Sequence, residues 1–134
     1  MSAGLGAALL AWSALAAADA ACLAGLDGGQ ALESPGYLLA YRTRPAPIPL
    51  GQHFAVEVLV CPRGGGAAPD AVRVDAHMPE HRHGMNSRPT VRAEGAGRYR
   101  AEGLLLHMPG RWDLVFELRG PDRTDRLTRS VVVE

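Results

Sequence analysis

His53-Phe-Ala-Val-Glu-Val-Leu-Val-Cys61 decides the fold class. Phe54, Val56, Val58 and Val60 alternate with His53, Glu57 and Leu59. A period of two sends one set to each face of an extended chain, so the stretch reads as a strand. The same pattern recurs on both sides of it. Upstream, Leu39, Tyr41 and Thr43 share one face of a strand ending at Arg44. Pro45-Ala-Pro-Ile-Pro-Leu-Gly51 then turns the chain, because proline has no ladder donor. Downstream, a Gly/Pro/Ala loop from Pro62 to Asp70 leads into Ala71-Val-Arg-Val-Asp-Ala76, with Val72, Val74 and Ala76 on the buried face.

Pro89 to Glu94 reads as a short strand, Gly95-Ala-Gly97 as a turn and Arg98 to His107 as a long strand. In that strand the alternation of Tyr99 and Ala101 gives way to Leu104-Leu-Leu106, which predicts a bulge at Gly103. Pro109-Gly110 turns the chain again. Arg111 to Arg119 then points Trp112, Leu114, Phe116 and Leu118 inward, and Arg126 to Val133 is the last strand. About seven short strands with regular turn signals predict an all-β fold, an immunoglobulin-like antiparallel β-sandwich.

Residues 1–18 carry no charge and are rich in Ala and Leu, and Ala18-Asp19-Ala20 fits a small-x-small cleavage site. Residues 1–20 therefore read as an export helix of signal-peptide type, although no Arg or Lys precedes the apolar run. The alternative is an uncleaved anchor. Residues 21–36 are Gly-rich and read as a flexible segment, and residues 37–134 as the sandwich domain. The expected location is periplasmic or secreted, or membrane-anchored facing the periplasm.

Cys22 follows the cleavage site and Cys61 ends a strand. Asp19 stands where lipidated chains carry a large aliphatic residue, which argues against lipidation of Cys22. Two cysteines in an exported chain suggest one disulfide, Cys22 to Cys61, pinning the N-terminal segment to the sandwich. Two unpaired thiols, or a thiolate ligand at Cys61, are the alternatives.

The chain has 134 residues, with 14 basic and 14 acidic side chains and a formal net charge of zero. Such a balance argues against a nucleic-acid partner. Every basic residue is Arg. No nucleophile elbow, phosphate loop or dinucleotide fingerprint is present, and no enzymatic activity is expected.

Function is concentrated in His77-Met-Pro-Glu-His-Arg-His-Gly-Met85 and His107-Met-Pro-Gly110. These two patches hold four of the five histidines and three of the four methionines. Imidazole nitrogen and thioether sulfur are ligands for soft or borderline ions, above all copper. His81, His83 and Met85 are spaced by two and would share a side of an extended segment. The expected ligands, in order, are His81, His83, Met85 and His107, then Met108, His77 and Met78. Met78 is in phase with Val72 and Val74, so a core role competes with ligation. Copper(I) is expected ahead of zinc, which would want Cys or a carboxylate such as Glu80 beside His. His53 reads as a surface residue away from the site.

Asp75-Ala-His-Met-Pro-Glu-His-Arg-His-Gly-Met-Asn-Ser-Arg-Pro89, Gly97-Arg-Tyr-Arg-Ala-Glu-Gly103 and His107-Met-Pro-Gly-Arg-Trp112 resemble the YtkA-like domain proteins. These are small exported or membrane-anchored immunoglobulin-like domains related to FixH-like proteins of cytochrome oxidase assembly. The resemblance runs from Leu39 to Val133. It implies a periplasmic role, in copper supply or oxidase maturation, with a membrane oxidase or another copper acceptor as partner. A looser similarity links the order His77, Met85, His107, Met108 to the PCu(A)C periplasmic copper chaperones. There the first gap is longer and the second His and Met are not adjacent. Neighbouring strand residues face opposite ways, so that ligand set does not carry over whole. The rival expectation is a metal-free accessory domain that docks on a membrane complex.

Overall fold

Period-two patterning produces paired sheets here. The computed structural model describes residues 17 and 19–134, and the expected export segment lies almost wholly outside them. Nine strands are present among the described residues. They are β1 (Gln30–Glu33), β2 (Tyr37–Arg44), β3 (His53–Pro62), β4 (Ala71–Met78), β5 (His83–Gly84), β6 (Thr90–Gly95), β7 (Arg98–Leu105), β8 (Gly110–Arg119) and β9 (Thr124–Val133). One sheet has the order β1-β2-β3-β7-β6 and the other β5-β4-β8-β9. All pairings are antiparallel. The expected all-β sandwich is observed, with the chain crossing between sheets after β3, β5 and β7.

The core lies where the inner faces meet. Phe54, Val56, Val58 and Val60 of β3 oppose Trp112, Leu114, Phe116 and Leu118 of β8, all buried. Val72, Val74, Ala76 and Met78 complete the second sheet's inner face. Each fully buried large apolar side chain contributes roughly 1.5–3 kcal/mol. Tyr41 stacks at a tilt on Phe116, with ring centres 5.0 Å apart.

The bulge at Gly103 is present. Phe54 pairs with Leu104 and Val56 with Ala101, so Ala55 faces the two residues Glu102 and Gly103. Gly103 has φ +85°, which only glycine adopts without strain. The extra residue shifts the inward phase from Tyr99 and Ala101 to Leu104 and Leu106, both fully buried. In an unbulged strand of the same residues, Leu105 and His107 would take the inward phase instead.

The structure corrects the reading of residues 21–36 as flexible. Cys22 and Cys61 form a disulfide with Cα atoms 6.1 Å apart, which excludes free thiols and a Cys61 thiolate ligand. Leu26, tethered by it, packs on Ala40, Leu59 and Cys61 on the outer face of β2 and β3. Arg42 Nη1 donates to the Asp27 carbonyl at 2.8 Å, and Arg98 donates to that of Gly25. The chain then turns and adds β1 to the sheet edge, pairing Leu32 with Leu39. A crosslink and one buried leucine thus order a segment whose composition reads as loop. Among the described residues, no helix is long and apolar enough to cross a membrane. A disulfide belongs to an oxidising compartment.

Candidate metal centre

The two His/Met patches meet at one end of the sandwich. β4 pairs with β8 so that His77 lies opposite Asp113, which brings the end of β4 beside the start of β8. β7 ends at Leu105, and Leu106 to Pro109 cross over to β8. The loop after β4 and the corner before β8 therefore face each other. His53 pairs with Leu105 and stands at this same end, not at a distance, but it is exposed on the other sheet.

Three imidazoles form a row. The ring centres of His81 and His83 are 5.8 Å apart, and those of His83 and His107 are 5.3 Å apart. Imidazoles sharing one ion through metal–nitrogen bonds of about 2.0–2.1 Å have ring centres roughly 5–6 Å apart, so each spacing suits an ion shared by that pair of rings. Trp112 is fully buried beneath the row. Its ring meets His83 edge-on at 5.8 Å and His107 edge-on at 5.5 Å. The indole Nε1 donates to the Met108 carbonyl at 3.0 Å, which fixes the corner carrying His107.

Two hydrogen-bonding facts bear on ligation. His83 Nδ1 lies 3.0 Å from the Gly84 carbonyl oxygen. A carbonyl only accepts, so Nδ1 carries the proton and Nε2 keeps a free lone pair. Metal-bound histidines are commonly held in this way by a backbone carbonyl. His107 Nδ1 is buried and has no hydrogen-bond partner among the described residues. A buried nitrogen without a partner is uncommon, and either an ordered water or an ion would satisfy it. Both observations fit an ion held by His83 and His107.

The remaining residues expected at the site are dispersed. Met78 is 2% exposed and belongs to the core, so its strand phase prevails. His77 faces the other side of the sheet, with Nε2 3.9 Å from Asp113 Oδ2. Met85 packs against the core and lines a groove beside Val72, Val74 and Val91 that none of the three imidazoles lines. The expectation that Met85 shares a side with His81 and His83 assumes an extended segment. Only His83–Gly84 is a strand, and Arg82 takes φ +55°, so the spacing rule fails on both sides. Met108 packs against the core and offers its carbonyl to Trp112. Glu80 pairs with Arg111 at 3.5 Å and is turned to it.

Trp112 is the neighbour that the sequence reading places only in the core. Its position five residues after His107, across a Pro-Gly corner, is the signal for its second role. Among the described residues, no group of three or more His, Cys, Asp or Glu side chains is placed to hold a metal ion. The row is an open arrangement with His83 in the middle.

The fold is similar to that of a DUF4426 family protein from Pseudomonas aeruginosa PAO1, known from its crystal structure. The two share 10% identity with a TM-score of 0.50, over 81% of this chain and 98% of that one. This establishes a distant likeness of fold alone. No protein-family model matches the sequence, and the search of curated proteins found no match.

Proposed function

We propose that this is an exported, periplasmic copper-binding protein that buffers copper or delivers it to an acceptor. The carrying observation is the His83–His107 pair above Trp112. One ring has its tautomer set by a backbone carbonyl, and the other has a buried nitrogen without a partner among the described residues. His81 stands as the outer ligand at the exposed end of the row. Nitrogen donors without a nearby thiolate or carboxylate suit copper better than a structural zinc, which wants a closed four-ligand shell. The YtkA-like resemblance, which rests on the quoted motifs, supports the same location and names oxidase maturation as the process served. An acceptor on a membrane oxidase fits an open site from which an ion can leave.

The test is a copper(I) competition titration against a chromophoric chelator, with zinc as control. One ion per chain is expected. The pair His83→Ala and His107→Ala should weaken binding at least about tenfold, the lower end of the effect of disturbing a metal shell. His77→Ala and Met78→Leu should leave it unchanged. Absence of competition by the native protein would refute the copper reading and turn the His/Met loop into a protein contact.

A further inference from the structure

The second sheet has an open edge beside the groove that holds Met85. β5 covers only His77 and Met78 of β4, and from Ala71 to Ala76 no strand among the described residues lies along that edge. The direction of the free backbone groups follows from Ala76. Its N–H donates to the Asp75 carboxylate at 2.8 Å, and its carbonyl faces Gly84 of β5. Ala76 therefore points both backbone groups away from β8. In a strand this direction alternates, so Val72 and Val74 also present N–H and C=O to the open edge. Such a row templates pairing with another chain unless something blocks it.

The groove alongside measures about 510 Å³ and is floored by Val72, Val74, Met85 and Val91. Two arginines line it. Arg73 is paired with Glu117 at 3.4 Å, whereas Arg88 has no acid partner among the described residues. The one carboxylate in the lining, Asp75, is engaged with the Ala76 amide.

We propose that the β4 edge takes up an extended segment of a partner protein as an added antiparallel strand, in line with β5. Its alternate side chains are apolar and enter the groove, and it carries a carboxylate for Arg88. Main-chain hydrogen bonds to Val72 and Val74 would supply affinity, and the groove and Arg88 would supply selectivity. The inference does not depend on the ion.

The probe is a short end-blocked peptide alternating Val with Glu, with a Val/Lys peptide as its counterpart. Saturable binding of the Glu peptide by the native protein is expected, with slowed amide exchange at Val72 and Val74. Arg88→Glu, an exposed change that leaves the core untouched, should weaken the Glu peptide about fivefold and favour the Lys peptide. Equal binding of both peptides to native and variant protein would overturn the proposal, as would unchanged exchange at both valines. Sedimentation showing that the protein dimerises through this edge would also overturn it, by making a second copy the occupant.

Discussion

Removing the Cys22–Cys61 disulfide should cost about 4 kcal/mol and leave ion binding intact. The bridge closes a loop of sequence separation 39. Chain-entropy accounting for a loop of that size gives about 4 kcal/mol at room temperature. A domain of this size has a total stability of about 5–15 kcal/mol, so the loss is a large share. The loop contains β1, β2 and most of β3, and its opening also frees the segment carrying Leu26 from Ala40 and Leu59. The His row lies elsewhere. β3 begins beside Leu105 at the end that carries it and finishes at the crosslinked end, about 30 Å away for a ten-residue strand. The assay is urea unfolding of the native protein and of the Cys22→Ser/Cys61→Ala pair, with copper competition run on both. A loss under about 1 kcal/mol would refute the entropic argument and mean that β1 pairing alone orders the N-terminal segment. Lost copper binding in a variant that still folds would refute the independence of the two ends.

Asp125 gives a pH dependence. Burial pushes its carboxyl up, but hydrogen bonds from Ser34, the Gly36 amide and Arg123, with the Arg123 charge, outweigh that and hold it below the usual range. A lowered folded pKa stabilises the protein above the unfolded value of about 3.9, and that contribution is lost as pH falls further through the folded pKa. Asp125→Ala should cost about 2–4 kcal/mol at neutral pH by orphaning Ser34 and Gly36, and should flatten the acid limb of a thermal-unfolding profile. An unchanged acid limb would assign it to other carboxylates. Gly97→Ala should cost about 2–3 kcal/mol, because φ is +75° and a Cβ would stand 2.6 Å from the Val60 carbonyl oxygen. Gly51→Ala, at φ +68° in open space, should cost about 1 kcal/mol; equal melting temperatures for the two variants would dismiss the clash.

The strands with an inner apolar face were legible because alternation and burial are one fact seen twice. Val72 to Met78, Phe54 to Val60 and Trp112 to Leu118 all face as their phase dictates. The change of phase after Ala101 was legible too, since Gly103 stands between two incompatible registers. β1 escaped because four residues beside glycines carry little pattern, and its order comes from a disulfide and from Leu26. β5 escaped because two residues have no period. The site was half legible. Neighbouring patches could be guessed from the repeated His-Met-Pro, but the side on which each candidate side chain falls depends on Arg82, Gly84 and the corner at Met108. Those local dihedrals are set by packing on Trp112 and on the core, and no spacing rule contains them.

Gly103 has a reach beyond its own strand. By inserting one residue it resets the parity of everything between itself and the corner at Gly110. Leu104 and Leu106 turn inward, His107 is released toward His83, and Met108 falls back on the core. Were the same residues to run as an unbulged strand, Leu105 and His107 would take the inward phase and Leu104 and Leu106 the outward one. The chemistry offered at this end of the molecule is thus a matter of counting. One glycine without a side chain selects which of two adjacent donors, nitrogen or sulfur, the surroundings meet.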